Sequence, residues 1–81
     1  MAVRLTKHAR EAMEVRSIPL DWVEDAITAP DWRRPDPAFP DRTRSYKAIA
    51  AFGNRVLRVV HRPDGPDTVV ITVHFDRGAA P

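Results

Sequence analysis

The stretch Arg55-Val56-Leu57-Arg58-Val59-Val60-His61, followed by Arg62-Pro63-Asp64-Gly65-Pro66-Asp67 and then Thr68-Val69-Val70-Ile71-Thr72-Val73-His74-Phe75, decides the fold. Two runs rich in β-branched residues flank a cluster of Pro, Asp and Gly, the pattern of an antiparallel hairpin. Side chains alternate along a strand. Leu57 and Val59 therefore share one face of the first run, and Val69, Ile71, Val73 and Phe75 share one face of the second. Folding about Asp64-Gly65 sets Leu57 near Val73 and Val59 near Ile71, which joins both sets into one apolar face. The opposite face carries Val56, Arg58 and Val60 with Val70, Thr72 and His74. Arg58 then sits beside Thr72, with His74 next along. A slip of one residue would turn the apolar set outward, which fixes the faces.

Upstream of the hairpin, Thr43–Ile49 reads as a further strand, and Ala50-Ala51-Phe52-Gly53-Asn54 as the turn that returns it. That turn is long enough to leave open whether Tyr46 or Lys47 joins Arg58 on the outer face. Residues 30–40 read PDWRRPDPAFP. Four prolines in eleven positions exclude a helix and a central strand. The expectation is an extended strap over one edge of the core, anchored by Trp32 and Phe39.

The N-terminal part is helical. Met1–Leu5 alternates weakly and reads as a short leading strand. Thr6 is placed as an N-cap, and Ala9, Ala12, Met13 and Arg16 recur at spacings of three and four. Pro19 suits the opening of a second helix, whose apolar stripe is Trp22, Val23, Ala26 and Ile27, and Pro30 stops it. The expected fold class is α+β, with two N-terminal helices packed on a three- to four-stranded antiparallel sheet. Residues 1–77 form the single domain and 78–81 a frayed tail.

The chain has 81 residues, enough for one domain. A domain of this size buries only ~60% of its unfolded surface, which rules against a mechanism that needs a large closed cavity. It has no cysteine, hence no disulfide framework and no thiolate metal site. The three histidines, His8, His61 and His74, lack metal-ligand spacing, and no phosphate-binding glycine loop occurs. Neither a metal nor a cofactor is expected. The longest apolar run falls far below the ~18 residues of a membrane span, and nothing at the start resembles a signal peptide, so no membrane partner is expected and a cytoplasmic location follows by elimination. The formal charge is +2, from 13 basic and 11 acidic residues. The distribution says more than the total. Glu11, Glu14, Asp21, Glu24 and Asp25 fall in the helices, whereas Arg42–Arg62 holds Arg42, Arg44, Lys47, Arg55, Arg58 and Arg62 and no acid. A basic sheet beside acidic helices suits an anionic partner on the sheet side.

The chemistry-bearing set is therefore Arg58, Thr72 and His74 on the outer face, approached by Arg44, Tyr46 and Lys47. Imidazole can serve as acid or base near neutrality, and guanidinium matches phosphate oxygens two at a time. A ribonuclease that uses the 2′-hydroxyl of its substrate needs these groups and no metal. His8 stands at the start of the first helix, where the dipole works against a cation; a ring that hydrogen-bonds to backbone and locks helix to sheet fits there. Arg16 closes the same helix, where a cation is favoured. His61 falls at a strand end on the apolar face and reads as a rim residue.

The run Thr6-Lys7-His8-Ala9-Arg10-Glu11-Ala12-Met13 with Arg16 and Ile18 resembles the opening of domain-of-unknown-function family 4258. Arg42-Thr43-Arg44-Ser45-Tyr46-Lys47, Val56-Leu57-Arg58-Val59-Val60 and Val70-Ile71-Thr72-Val73 resemble its later parts. In layout that family is similar to the RelE and ParE toxin superfamily, with helices first and the active face on the sheet. The resemblance implies a RelE-like, toxin-type RNA endonuclease, with His74, Arg58, Tyr46 and His8 as catalytic candidates and Arg44, Lys47, Arg58 and Arg16 as nucleic-acid contacts. It also implies RNA or ribosome as target, an antitoxin-like or regulatory protein as partner, and a sheet edge open to homodimer formation. The rival readings are a non-catalytic RNA or ribosome binder and a protein-interaction module. Two departures stand out. Ser17 occupies a helix end where the family favours glycine, and His74 stands where an aromatic such as tyrosine is more typical.

Overall fold

Thr6 organises the N-terminal half. Its hydroxyl accepts the backbone N–H of Ala9 at 3.0 Å, which caps helix α1 (Lys7–Arg16). The helix ends on Ser17, whose φ of 53° and ψ of 46° lie in the left-handed region. The N–H of Ile18 reaches back to the Met13 carbonyl and that of Ser17 to Glu14, the double closure of a Schellman motif. The serine thus adopts a left-handed conformation that glycine takes most readily. Pro19 caps α2 (Leu20–Thr28), and the Ala29 N–H closes it on the Asp25 carbonyl.

The computed structural model describes residues 2–81; Met1, placed above in the leading strand, lies outside them. The strands are β1 (Val3–Leu5), β2 (Trp32–Pro35), β3 (Thr43–Ile49), β4 (Arg55–Asp64) and β5 (Asp67–Phe75). They form one mixed sheet in the order β1-β5-β4-β3-β2. The expectation of three to four antiparallel strands is corrected on two counts. The leading strand pairs parallel with β5, Val3 opposite Thr68 and Leu5 opposite Val70. The strap contributes a fifth strand, since Trp32–Pro35 pairs antiparallel with Thr43–Tyr46. An edge strand tolerates proline because one side of its backbone has no neighbour to bond, which is why the prolines excluded a central strand and not this one.

The hairpin faces are as expected near its open end, but the register differs. Leu57 lies opposite Phe75, Arg58 opposite His74 and Val59 opposite Val73, two positions from the expected pairing. One position of the shift comes from the turn, where Asp64 pairs with Asp67 about Gly65-Pro66, and the other from a bulge. Val60 faces Thr72 and His61 faces Val70, so Ile71 is an extra residue on β5. Beyond it the alternation inverts, and Val70 rather than Ile71 enters the core.

Both helices cover one face. Ala9 and Ala12 of α1 and Val23, Ala26 and Ile27 of α2 pack with Leu57, Val59, Val70 and Val73, closed by Ile18 and Ile49. The small alanines let α1 approach the sheet closely. The hydroxyl of Thr6 also donates to the Ile71 carbonyl at 2.9 Å, and its N–H to that of Val70 at 3.1 Å, so the start of α1 is fastened to the bulge. The opposite sheet face carries no helix, and no helix of the described residues is long and apolar enough to cross a membrane.

Candidate functional site

The strand pairing lays one row of side chains across the helix-free face: Trp32 on β2, Tyr46 on β3, Arg58 on β4 and His74 on β5. The next row is Arg34, Arg44, Val60 and Thr72. The register settles the choice left open in the sequence. Tyr46 shares the face of Arg58, and Lys47 pairs with Leu57 on the other face. Lys47 donates to the Ala29 carbonyl at 2.8 Å, closing the C-terminal end of α2 instead of pointing to the row.

The members of the row constrain one another. The rings of Trp32 and Tyr46 stack with centroids 5.0 Å apart and planes 10° from parallel. Tyr46 is buried although no helix covers it. Arg58 donates Nη1 to Asp76 Oδ2 at 3.2 Å and Nη2 to His74 Nε2. Its Nε is buried and unpartnered. Arg44 donates Nε to Asp36 Oδ2 at 3.2 Å. Burial works against its charge, but bonds to Tyr46 and Asp36 more than offset this and raise its pKa. The Asp36 carboxylate is held below its ordinary value, first by the N–H of Ala38, then by Phe39 and Arg44.

His74 is the titratable group of the row. Partial burial lowers its pKa, and the guanidinium of Arg58 lowers it further; Asp76 opposes, while Arg16 and Arg44 add to the lowering. A neutral ring that accepts at Nε2 carries its proton on Nδ1. The imidazole is thus held neutral among cations, the state from which it can take up a proton.

A groove of about 340 Å³ lies between α1 and β5, lined by His8, Glu11, Val15 and Arg16 on one side and Thr72 and His74 on the other. It exists because β1 pairs only as far as Val70, so the remaining edge of β5 meets α1. His8 and Arg16, remote in sequence from β5, are brought opposite His74. The His8 ring makes no hydrogen bond among the described residues, and Thr6 supplies the helix-to-sheet lock expected of it. Arg16 likewise has no ion-pair partner there, which leaves its guanidinium free. His61 lies on the helix side, where its Nε2 meets the fully buried Ser45 hydroxyl at 2.7 Å. Burial and then Arg33 lower its pKa. Among the described residues no group of three His, Asp or Glu side chains converges as metal ligands.

Sequence reasoning missed Asp76, Asp36 and Arg34. Asp76 was hidden by the register: two positions of slip move it from beyond the hairpin to beside Arg58. Asp36 sits in the proline-rich segment, where no periodicity signals a direction.

A family model described as Domain of unknown function (DUF4258) matches residues 5–75. No curated protein matches the chain, and no solved structure does. The match runs from before the Thr6 cap to the end of β5 and takes in the groove and the row across the sheet; the chain belongs to the DUF4258 family.

Proposed function

We propose that the groove and the adjoining sheet face bind a single-stranded RNA phosphodiester and support its cleavage without a metal. The observation that carries this reading is the His74 ring, held neutral, in contact with Arg58 and across the groove from the unpaired Arg16. In the reaction His74 takes the proton of the 2′-hydroxyl, the 2′-oxygen attacks phosphorus, and the 5′-oxygen leaves with a proton supplied by His8 or water. The product ends are a 2′,3′-cyclic phosphate and a 5′-hydroxyl. Arg16 and Arg58 balance the charge that develops on the phosphate oxygens. Arg44, fixed by Tyr46 and Asp36, extends the cationic track along the sheet. For Nε2 of His74 to act, Arg58 must turn toward the phosphate, and an incoming anion gives it reason to do so. The toxin-type layout inferred from sequence points the same way, with a cytoplasmic RNA as target and a regulatory protein as partner.

One observation favours a second reading. Both terminal nitrogens of Arg58 and Nε2 of His74 are already engaged within the protein. A face so closed upon itself suits binding without turnover. Purified protein incubated with single-stranded RNA in excess EDTA separates the two. Cyclic-phosphate ends that disappear with His74→Ala, while folding persists, support the enzyme. Salt-sensitive binding with intact RNA supports the binder. Neither binding nor cleavage sinks both.

A further inference from the structure

A second surface lies at the start of β4, on the helix side of the sheet. Phe52, in the turn between β3 and β4, packs on Phe75 with centroids 4.9 Å apart and on Trp22 of α2 at 6.0 Å. Phe52 remains 40% exposed. Arg55 lies over both phenyl rings, its guanidinium carbon 4.9 Å from each centroid. Arg16 completes a cleft of about 230 Å³ with these three residues. Arg77 lines an adjoining cleft of about 310 Å³ that shares Arg55 and Phe75. Among the described residues, none of Arg16, Arg55 and Arg77 is paired with a carboxylate. Three unneutralised cations therefore surround an aromatic wedge that solvent reaches. Asp76, the acid nearest in sequence, is engaged by Arg58 and by the N–H of Gly78.

We infer that this aromatic and arginine-rimmed corner docks an acidic segment of a partner protein, with an aliphatic side chain seated beside Phe52 and carboxylates on Arg16, Arg55 and Arg77. Charge complementarity selects the acidic class: three free guanidiniums need anions, and a fork of N–H donors matches a carboxylate. The ring geometry selects peptide over nucleic acid. A nucleobase needs an open ring face, whereas Arg55 already covers Phe52 and Phe75 and the rings meet each other tilted. An aliphatic side chain needs only the exposed edge. Arg16 also lines the groove beside His74, so an occupant of this corner crowds the candidate site. Docking itself does not depend on the proposed RNA chemistry.

The test uses two synthetic amphipathic helical peptides, each with leucine on one face. One carries glutamate on the other face and its counterpart carries lysine. Backbone amide shifts of the intact chain and Trp22 fluorescence are followed at low salt. The acidic peptide is expected to shift the resonances of Phe52, Arg55 and Phe75 and to bind more weakly as salt rises. Phe52→Ala and Arg55→Glu, both at solvent-exposed positions, are each expected to weaken it about tenfold with an unchanged circular dichroism spectrum. Equal binding of the two peptides, shifts confined to the helix-free sheet face, or no shift at this corner overturns the inference. So does a single-stranded RNA that moves these resonances more than the acidic peptide. Loss of RNA cleavage in a separate assay has no bearing on these readouts.

Discussion

Replacing Thr6 with valine removes one hydroxyl and keeps the shape of the side chain. That hydroxyl makes two bonds of different kinds. As acceptor from Ala9 N–H it caps α1, a contribution of about 1 kcal/mol. As donor to the Ile71 carbonyl it fastens the helix to the bulge in β5, worth about another 1 kcal/mol. The hydroxyl can donate and accept at once, so the two contributions add, and Thr6→Val is expected to destabilise the fold by about 2 kcal/mol. For a domain of this size that lowers the melting temperature by ~8–16 °C, at ~4–8 °C per kcal/mol. Thr6→Ser keeps both bonds and is expected to stay within ~0.5 kcal/mol of the parent chain, as ordinary surface changes do. Urea denaturation followed by far-ultraviolet circular dichroism measures both variants on one scale. Hydrogen exchange adds a local readout: the Ala9 amide loses protection in Thr6→Val before the central strands do. If Thr6→Val lies within ~0.5 kcal/mol of the parent, the claim that this residue joins helix to bulge is wrong.

Acid is expected to weaken the fold through His61 and His74. Both have folded-state pKa values below the ordinary histidine value, so the unfolded chain takes up protons first. Their contribution is complete above about pH 6.5 and is lost as pH falls from there through the folded values. The urea midpoint should therefore drop on acidification toward pH ~5, less so in His61→Gln; a midpoint that rises contradicts the burial of these rings. Ser17→Gly relieves ~1–2 kcal/mol of left-handed strain but frees the unfolded chain by ~0.4–1 kcal/mol, for a net gain of roughly 0.5–1 kcal/mol in the same assay. A loss of stability would mean that Ser17 makes a contribution beyond its backbone. Lys47→Met should reduce stability by at most ~1 kcal/mol and leave RNA affinity and its salt slope unchanged, because Lys47 serves the end of α2. A shallower salt slope would return Lys47 to the interface. Asp76→Asn removes the anion that competes for Arg58, so titration with inorganic phosphate should show several-fold tighter binding. Weaker binding would show that Asp76 positions Arg58 instead.

The parts of this fold that were legible from sequence are those written in local chemistry. The Thr6 cap, the helical spacing of Ala9 and Ala12, Pro19 at a helix entrance and the Asp64-Gly65-Pro66-Asp67 turn each declare themselves within a few residues. Gly65, at φ 57°, supplies the positive dihedral that a two-residue hairpin loop requires. The parts that were not legible depend on partners distant in the chain. Val69-Val70-Ile71 is β-branched at every position, so no alternation betrays which residue is extra at the bulge. That extra residue, together with a turn centred on Gly65-Pro66 and not on Asp64-Gly65, moves Arg58 from beside Thr72 to a place opposite His74. Likewise, three residues of β1 carry no sign that their partner is β5 or that the pairing is parallel. The resemblance drew attention to His8 and Arg16, but only the meeting of α1 with β5 puts them in a groove with His74.

The same irregularities account for where that groove lies. A regular five-stranded sheet would pair β5 along its whole length and leave no room for a helix at its edge. Here β1 ends at Leu5, and the chain turns at once into α1 through Thr6, whose N–H and hydroxyl both bond to the neighbouring strand β5. The bulge shifts Thr72 and His74 relative to the core while Val70 and Val73 stay buried under Ala9 and Ala12. The helix is therefore held against β5 by its small residues, and its larger polar ones, His8 and Arg16, overhang the open edge. An imidazole on that edge meets cations from two directions, Arg58 along the sheet and Arg16 from the helix. Deleting Ile71 would leave the flanking pairs in place, Val70 with His61 and Thr72 with Val60, and keep His74 in the row; what it would remove is the carbonyl by which the Thr6 hydroxyl fastens α1 to β5.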